Sequence, residues 1–427
     1  MDLRAHTGVL AERDFRRLLF AQFAAQAADG LAQAVFADIL ILEPLTQGTP
    51  ERIFSLFALT LIPYSLIAPF MGVFVDRWPR RALLVWTNVI RGTLLLTLPV
   101  WALFIHGNLP LIFATLALLG LGRLFLTTKG ASLPALLHEH HLLQGNALSS
   151  GGGMISALGG GVIGITAAGL FDYKISFVAA GVIYLIGAWL SRTISNPLAH
   201  PHEHPHSFSE HLTRVASELG EGVRVIWVRA NARIPLIGIF VLRVIGMFVA
   251  IAAILFIKQQ FGEGERFGRL SAAALALGAA GLGAFVGAAT APLVGRRLMN
   301  AGLITVGFFV SAAGIVLLGG IVNLWAVVAL TFFGGYGAFV TKVAVDAQVQ
   351  EALPDEFRGR AFALYDILYN LASVAAAGIM LGFFDVPGRL DLVLAGLFAL
   401  LLTALMVRAM KRAGMAFLVA HGAEPRA

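Results

Sequence analysis

Few side chains in this sequence of 427 residues are equipped for chemistry, and most of them stand inside long apolar runs. Gln22, Gln26, Asp29 and Gln33 recur at steps of four, three and four. On a helix that spacing gathers them into one stripe roughly 60° wide. The stripe reads as a cavity-lining face with a titratable acid, Asp29, at its centre. A polar seam between packed helices is the plainer alternative. Arg243 is a lone cation midway along a later apolar run, and Arg91 and Arg123 each stand in another. Asp366, Tyr369, Asn370 and Ser373 share one helical face and form a second candidate contact for a proton or a substrate. No cysteine is present, so disulfides, thiolate metal sites and thiol nucleophiles are excluded. No GxxxxGK[ST] loop occurs, and no nucleophile or metal-ligand constellation within the apolar runs supports a membrane-embedded enzyme.

The elements that must position these groups follow from composition. Hydrophobic residues make up 58% of the chain and charged residues 13%, against about 45–50% and about 25% in soluble domains. A soluble enzyme and a disordered chain are both excluded. About 20 apolar residues cross a bilayer as a helix. Twelve such stretches are predicted, at 18–42, 54–75, 82–105, 109–128, 146–170, 174–194, 234–257, 269–294, 301–321, 324–345, 360–384 and 390–410. The expected fold class is an all-α membrane protein of 12 transmembrane helices. The first stretch is too long for a signal-peptide core, and Asp2, Glu12 and Asp14 spoil a basic leader.

Of the 31 Lys and Arg residues, 22 fall on the side shared by both termini, six on the other side and three within spans. By the positive-inside rule both termini are expected in the cytoplasm, in a plasma (bacterial inner) membrane. The net charge of +7 then reads as orientation and contact with anionic lipids, with no nucleic-acid partner. Arg91 and Arg123 read as nearer the cytoplasmic side.

The longest polar interruption divides the spans six and six. The expected domains are an N-terminal bundle over 1–195, a cytoplasmic linker over 196–233, a C-terminal bundle over 234–411 and a tail over 412–427. An offset of 215 residues carries the first set of spans onto the second, as in the parallel repeats of secondary transporters. At that offset Asp29 falls beside Arg243. The two charges could pair directly, bind the poles of a zwitterion, or form a structural salt bridge.

Between the second and third spans stands Gly72-Val-Phe-Val-Asp76-Arg77-Trp-Pro-Arg80-Arg81. It resembles the G-x-x-x-D-R-x-x-R-R signature of the major facilitator superfamily. A worn copy follows at the offset: Gly287, Ala291, Pro292, Gly295, Arg296 and Arg297. Lys129-Gly-Ala-Ser-Leu-Pro134, Asp355-Glu-Phe-Arg358-Gly359-Arg360 and Glu218-Leu-Gly-Glu-Gly222 resemble segments of its drug-efflux-like and lysophospholipid-transporter-like exporter branches. The resemblance implies two pseudo-symmetric six-helix bundles and a secondary active transporter working by alternating access. It implies a conformational gate at Gly72, Asp76, Arg77, Arg80 and Arg81, with Asp76 latching against the eleventh span. The expected activity is export of an amphiphilic or hydrophobic small molecule in exchange for protons, with Asp29 the first candidate carrier. Transport of a lysophospholipid or other zwitterionic lipid without proton coupling is the alternative, and a metal or siderophore transporter, resting on the histidine tract alone, is a lesser one. Arg123, after Gly120 and Gly122, resembles the fourth-helix arginine of proton-coupled members.

Gly159–Gly164 matches GxGxxG, but no strand precedes it, and close helix packing through Gly160 and Gly164 is expected instead. Lys342 and Asp346, four apart, are expected to pair. His200, His202, His204 and His206 form a low-complexity tract that is at most a weak metal contact. Leu212, Val215, Leu219, Val223 and Ile226 predict an amphipathic helix on the inner leaflet. No cofactor is expected, and the chain is expected to act as a monomer with its substrate, protons and anionic lipids as partners.

Overall fold

The structure is a computed structural model that describes residues 9–37, 39, 50–70, 75, 78–104, 109–137, 142–195, 198, 208–260, 266–321, 323–382 and 389–418. Thirteen α-helices appear among them. They are α1 (Arg13–Ala37), α2 (Pro50–Ile67), α3 (Arg80–Phe104), α4 (Leu109–Ser132), α5 (Leu142–Leu170), α6 (Tyr173–Arg192) and α7 (Phe208–Val228). After them come α8 (Ala230–Gln260), α9 (Arg266–Val294), α10 (Asn300–Gly319), α11 (Leu324–Ala352), α12 (Asp355–Met380) and α13 (Arg389–Arg412). No named strand occurs among the described residues, as hydrocarbon requires of a chain that satisfies its backbone within each segment.

Twelve of these helices answer to the twelve apolar stretches, and α7 is the predicted linker helix. Ten are both long and apolar enough to cross a membrane. The exceptions have visible causes. In α1 the glutamine and aspartate stripe dilutes a 25-residue helix. In α2 the described residues include the shorter apolar stretch Phe57–Ile67.

The chain forms two compact units. The first comprises residues 1–46 and 66–215, the second residues 47–65 and 216–427. Residues 47–65, placed by sequence in the first bundle, thus group with the second unit. In the first unit α1 packs on α5 and α6, and α3 on α4 and α6. In the second, α11 packs on α9 and α10, α10 on α13, and α8 on α11 and α12.

Glycine sets the closest of these approaches. A Cβ at Gly30 of α1 would lie 1.9 Å from the Ala157 carbonyl oxygen of α5. One at Gly160 would lie 2.1 Å from the Ala27 carbonyl oxygen. The GxGxxG run is therefore a packing face that lets two backbones touch. The second unit does the same with Gly335 of α11, where a Cβ would lie 2.1 Å from the Ala280 oxygen of α9.

Helix α7 departs from the expectation of a helix resting on lipid alone. Its Val225 and Ile226 pack against the core around Tyr365, Met406 and Met410. Its Glu221 accepts from Arg360 of α12 at 2.8 Å, with Glu218 at 3.8 Å. Val223, Trp227 and Val228 remain exposed.

Candidate functional site

In the first unit the stripe of α1 meets α3, α4 and α6 at a closed charge cluster. Thr87, Asn88 and Arg91 lie on one face of α3, so the arginine can fold back on its own helix. Arg91 Nε donates to the Thr87 carbonyl at 3.3 Å and Nη2 donates to Asn88 Oδ1. Nη1 donates to both carboxylate oxygens of Asp29, at 3.0 and 3.2 Å. The Tyr184 hydroxyl of α6 donates to Asp29 Oδ1 at 2.5 Å. The guanidinium also lies over the rings of Tyr184, at 4.5 Å, and Phe125, at 5.4 Å. Gly122 leaves room for it, since a Cβ there would sit 3.3 Å from Arg91 Nη1 and 3.6 Å from Asp29 Oδ1.

Arg91 is wholly buried, whereas the Asp29 side chain keeps 18% of its surface exposed. Here the cation is sealed by protein and the acid is the accessible partner.

Toward the start of α1 the stripe becomes a packed seam. Lys129 Nζ donates to Ser149 Oγ at 2.8 Å, and that hydroxyl donates to Gln22 Oε1 at 2.7 Å. Gln22 Nε2 donates to Gln26 Oε1 at 2.6 Å and to the Ser149 carbonyl at 2.8 Å. Gln22 is buried, Gln26 half-buried and Gln33 exposed. The stripe is thus a packed seam at Gln22 and becomes more exposed toward Gln33.

The second unit arranges its polar groups as a ladder. The Arg243 guanidinium of α8 lies 4.1 Å above the Tyr369 ring, which is 5.9 Å from that of Tyr365. Lys342 Nζ lies 5.4 Å from the Tyr365 ring and bonds Asp346 at 2.6 Å. Asn370 donates to the Asp366 backbone carbonyl at 2.8 Å. Asp346, Asp366 and Arg243 all lie within electrostatic reach of Tyr365.

Within its own unit Asp29 pairs with Arg91, which stands near the middle of α3. Arg123 is half-buried in α4, one residue past Gly122. Of the gate residues, Arg80 donates to the carbonyls of Ala131 and Leu198, at 2.8 and 3.5 Å, and Arg81 is exposed. Gly72, Asp76 and Arg77 lie outside the described residues, as do His200, His202, His204 and His206. Among the described residues no group of three or more His, Asp or Glu is placed to hold a metal ion.

Tyr184, Asn88 and the Lys129–Ser149 link went unrecognised in the sequence. The Thr87-Asn88-x-x-Arg91 spacing was a usable signal, since polar groups one turn apart in an apolar run mark an interior face.

A multi-pass helical membrane protein of two helical units, with ionisable side chains inside its long apolar helices, has the build of a secondary transporter. The chain belongs to the Major Facilitator Superfamily, whose family model matches residues 18–377. It is 27% identical over 384 residues to an uncharacterized MFS-type transporter of Mycobacterium tuberculosis, covering 86% of this chain and 85% of that one. It is 27% identical over 360 residues to a Bacillus subtilis protein, BacE, named as a bacilysin exporter, covering 81% and 84%. Its fold is shared with a solved POT family transporter in complex with 5-aminolevulinic acid, at 12% identity and a TM-score of 0.72 over 94% of this chain and 97% of that one. The chain is a transporter of this superfamily and not an enzyme.

Proposed function

We propose that the chain is a secondary active exporter that works by alternating access and moves an amphiphilic or hydrophobic small molecule outward in exchange for protons. The observation that carries this reading is the Asp29–Arg91–Tyr184 cluster, in which the carboxylate is accessible and its cation is sealed. A proton arriving at Asp29 removes the counter-charge of a buried guanidinium. That turns protonation into a strong drive to rearrange the helices around it. The exporter direction is supported by the likeness to BacE. In this reading the protein sits in the bacterial inner membrane as a monomer with both termini cytoplasmic, and anionic lipids contact its basic face.

A zwitterion held between Asp29 and Arg243 is disfavoured, because Asp29 is already occupied by Arg91 and Tyr184. The test uses the full-length protein in proteoliposomes with fluorescent cationic, neutral and anionic amphiphiles and an imposed pH gradient. Uphill accumulation of at least one probe is expected, lost without the gradient and lost in Asp29→Asn. Accumulation indifferent to the gradient would remove proton coupling. Failure to move any probe would remove the exporter reading. The natural absence of cysteine allows single-cysteine labelling at each end of the helices to follow alternating access.

A further inference from the structure

Arg243 has no carboxylate within the 4.0 Å of an ion pair among the described residues. It stands near the middle of α8, a long apolar helix. Its Nε is buried and donates to nothing, and its guanidinium is faced by the Tyr369 ring. The other groups of the ladder do not supply the missing charge. Lys342 and Asp346 neutralise each other. Asp366 is engaged in contacts of its own and stands beyond ion-pair distance from Arg243. One rung away Tyr365, 5% exposed, has a hydroxyl that likewise lacks a partner.

A guanidinium resting on an aromatic face keeps its plane fixed and its edge donors free. Planar oxyanions match that edge with two parallel charge-assisted hydrogen bonds. A mid-span cation left unmatched by its own unit, one ring away from a second buried donor without an acceptor, is set up to receive an anion from outside the chain.

We propose that Arg243 is an anion subsite for the exported molecule, which is therefore an amphiphile bearing a carboxylate or phosphate group. Arg243 holds the oxyanion, Tyr369 fixes the guanidinium plane, and the Tyr365 hydroxyl is the second donor. The proposal rests on the exporter reading and names the substrate class for it.

The test compares the full-length protein with Arg243→Gln and Arg243→Lys in proteoliposomes. The probes are N-dodecanoylglycine, its uncharged methyl ester, and lysophosphatidylglycerol. Wild type is expected to prefer the acid over the ester by about tenfold or more. Arg243→Gln brings that ratio near one, and Arg243→Lys retains part of it, since an ammonium keeps the charge and loses the fork. A stronger preference for lysophosphatidylglycerol that collapses in Arg243→Gln supports the subsite and assigns the oxyanion to a lipid headgroup. Equal handling of acid and ester by wild type, or a preference that Arg243→Gln leaves intact, overturns it.

Thermal unfolding separates this proposal from the exporter reading. If no probe is transported, the exporter reading falls, yet stabilisation of wild type but not Arg243→Gln by N-dodecanoylglycine still supports the subsite. Absence of that stabilisation overturns it. Arg243→Gln is expected to unfold at or above the wild-type temperature. A marked drop would make Arg243 a structural residue and overturn the subsite.

Discussion

Each unit carries an arginine near the middle of a long apolar helix, and the two are treated in opposite ways. Arg91 has a carboxylate, an amide oxygen, a backbone carbonyl and two ring faces from its own unit. Arg243 has a ring face and an idle buried donor. Counting intramembrane charges does not separate these cases, because both cost about the same to insert. What separates them is whether the unit that carries the charge also matches it. A matched charge is part of the fold, and in the proposed reading it is the one that answers to a proton, while the unmatched one meets the ligand.

The largest expected effect tests the matched side. Asp29→Asn leaves Arg91 fully buried without a counter-charge, and removal of one partner from such a pair costs about 3–5 kcal/mol. A clear drop in unfolding temperature in detergent is expected, and the double variant Asp29→Asn/Arg91→Gln should recover much of it. Should Asp29→Asn prove as stable as wild type, the contrast between the two arginines fails.

Packing should be alike in both units, which sharpens the comparison by showing where they agree. Gly30→Ala and Gly160→Ala in the first unit, and Gly335→Ala in the second, each drive a methyl group into a facing backbone oxygen. Each is expected to lose about 1–3 kcal/mol. Gly246→Ala in α8 meets nothing within 4 Å and should be neutral or slightly stabilising, since alanine is the better helix former. Thermal unfolding of the four variants side by side checks this.

These contrasts explain how far the sequence could be read. Runs of apolar residues reveal spans because each span is a local property, and every one of the twelve appears as a helix. Edges were less legible: α1 begins at Arg13, about a turn before the apolar run, because Arg16 and Arg17 find partners at Leu10, Asp14 and Ser195. The packing role of Gly160 was readable from spacing alone. The partner of Asp29 was not, because it depends on which helices become neighbours. Hydropathy carries no record of that, and the 215-residue offset pairs symmetric positions of different units. The polar face of α3 held the missing information, since Thr87, Asn88 and Arg91 have no reason to align in lipid unless they meet another polar helix.

The Lys342–Asp346 pair lies between the two extremes. Its side chains are 40% and 26% exposed and only one carboxylate oxygen is used. Lys342→Gln should therefore cost about 1 kcal/mol or less, and a cycle with Asp346→Asn should give a coupling of similar size. A coupling of several kcal/mol would mean that the second unit also depends on a closed ion pair, and the contrast would narrow.

The smallest effect concerns how α7 is tied to its unit. Glu221 is 62% exposed and its bond to Arg360 crosses a wet surface, so Glu221→Gln should change stability by about 0.2–1 kcal/mol, less at high salt. Removing the apolar seat should matter more, because Ile226 packs against the core and loses buried area when cut to alanine. Limited proteolysis within α7 distinguishes the two. Faster cleavage in Ile226→Ala than in Glu221→Gln means that the helix is held by burial, as Arg91 is by its neighbours. The reverse order means that α7 is held by charge at the surface, where salt and lipid headgroups compete for it.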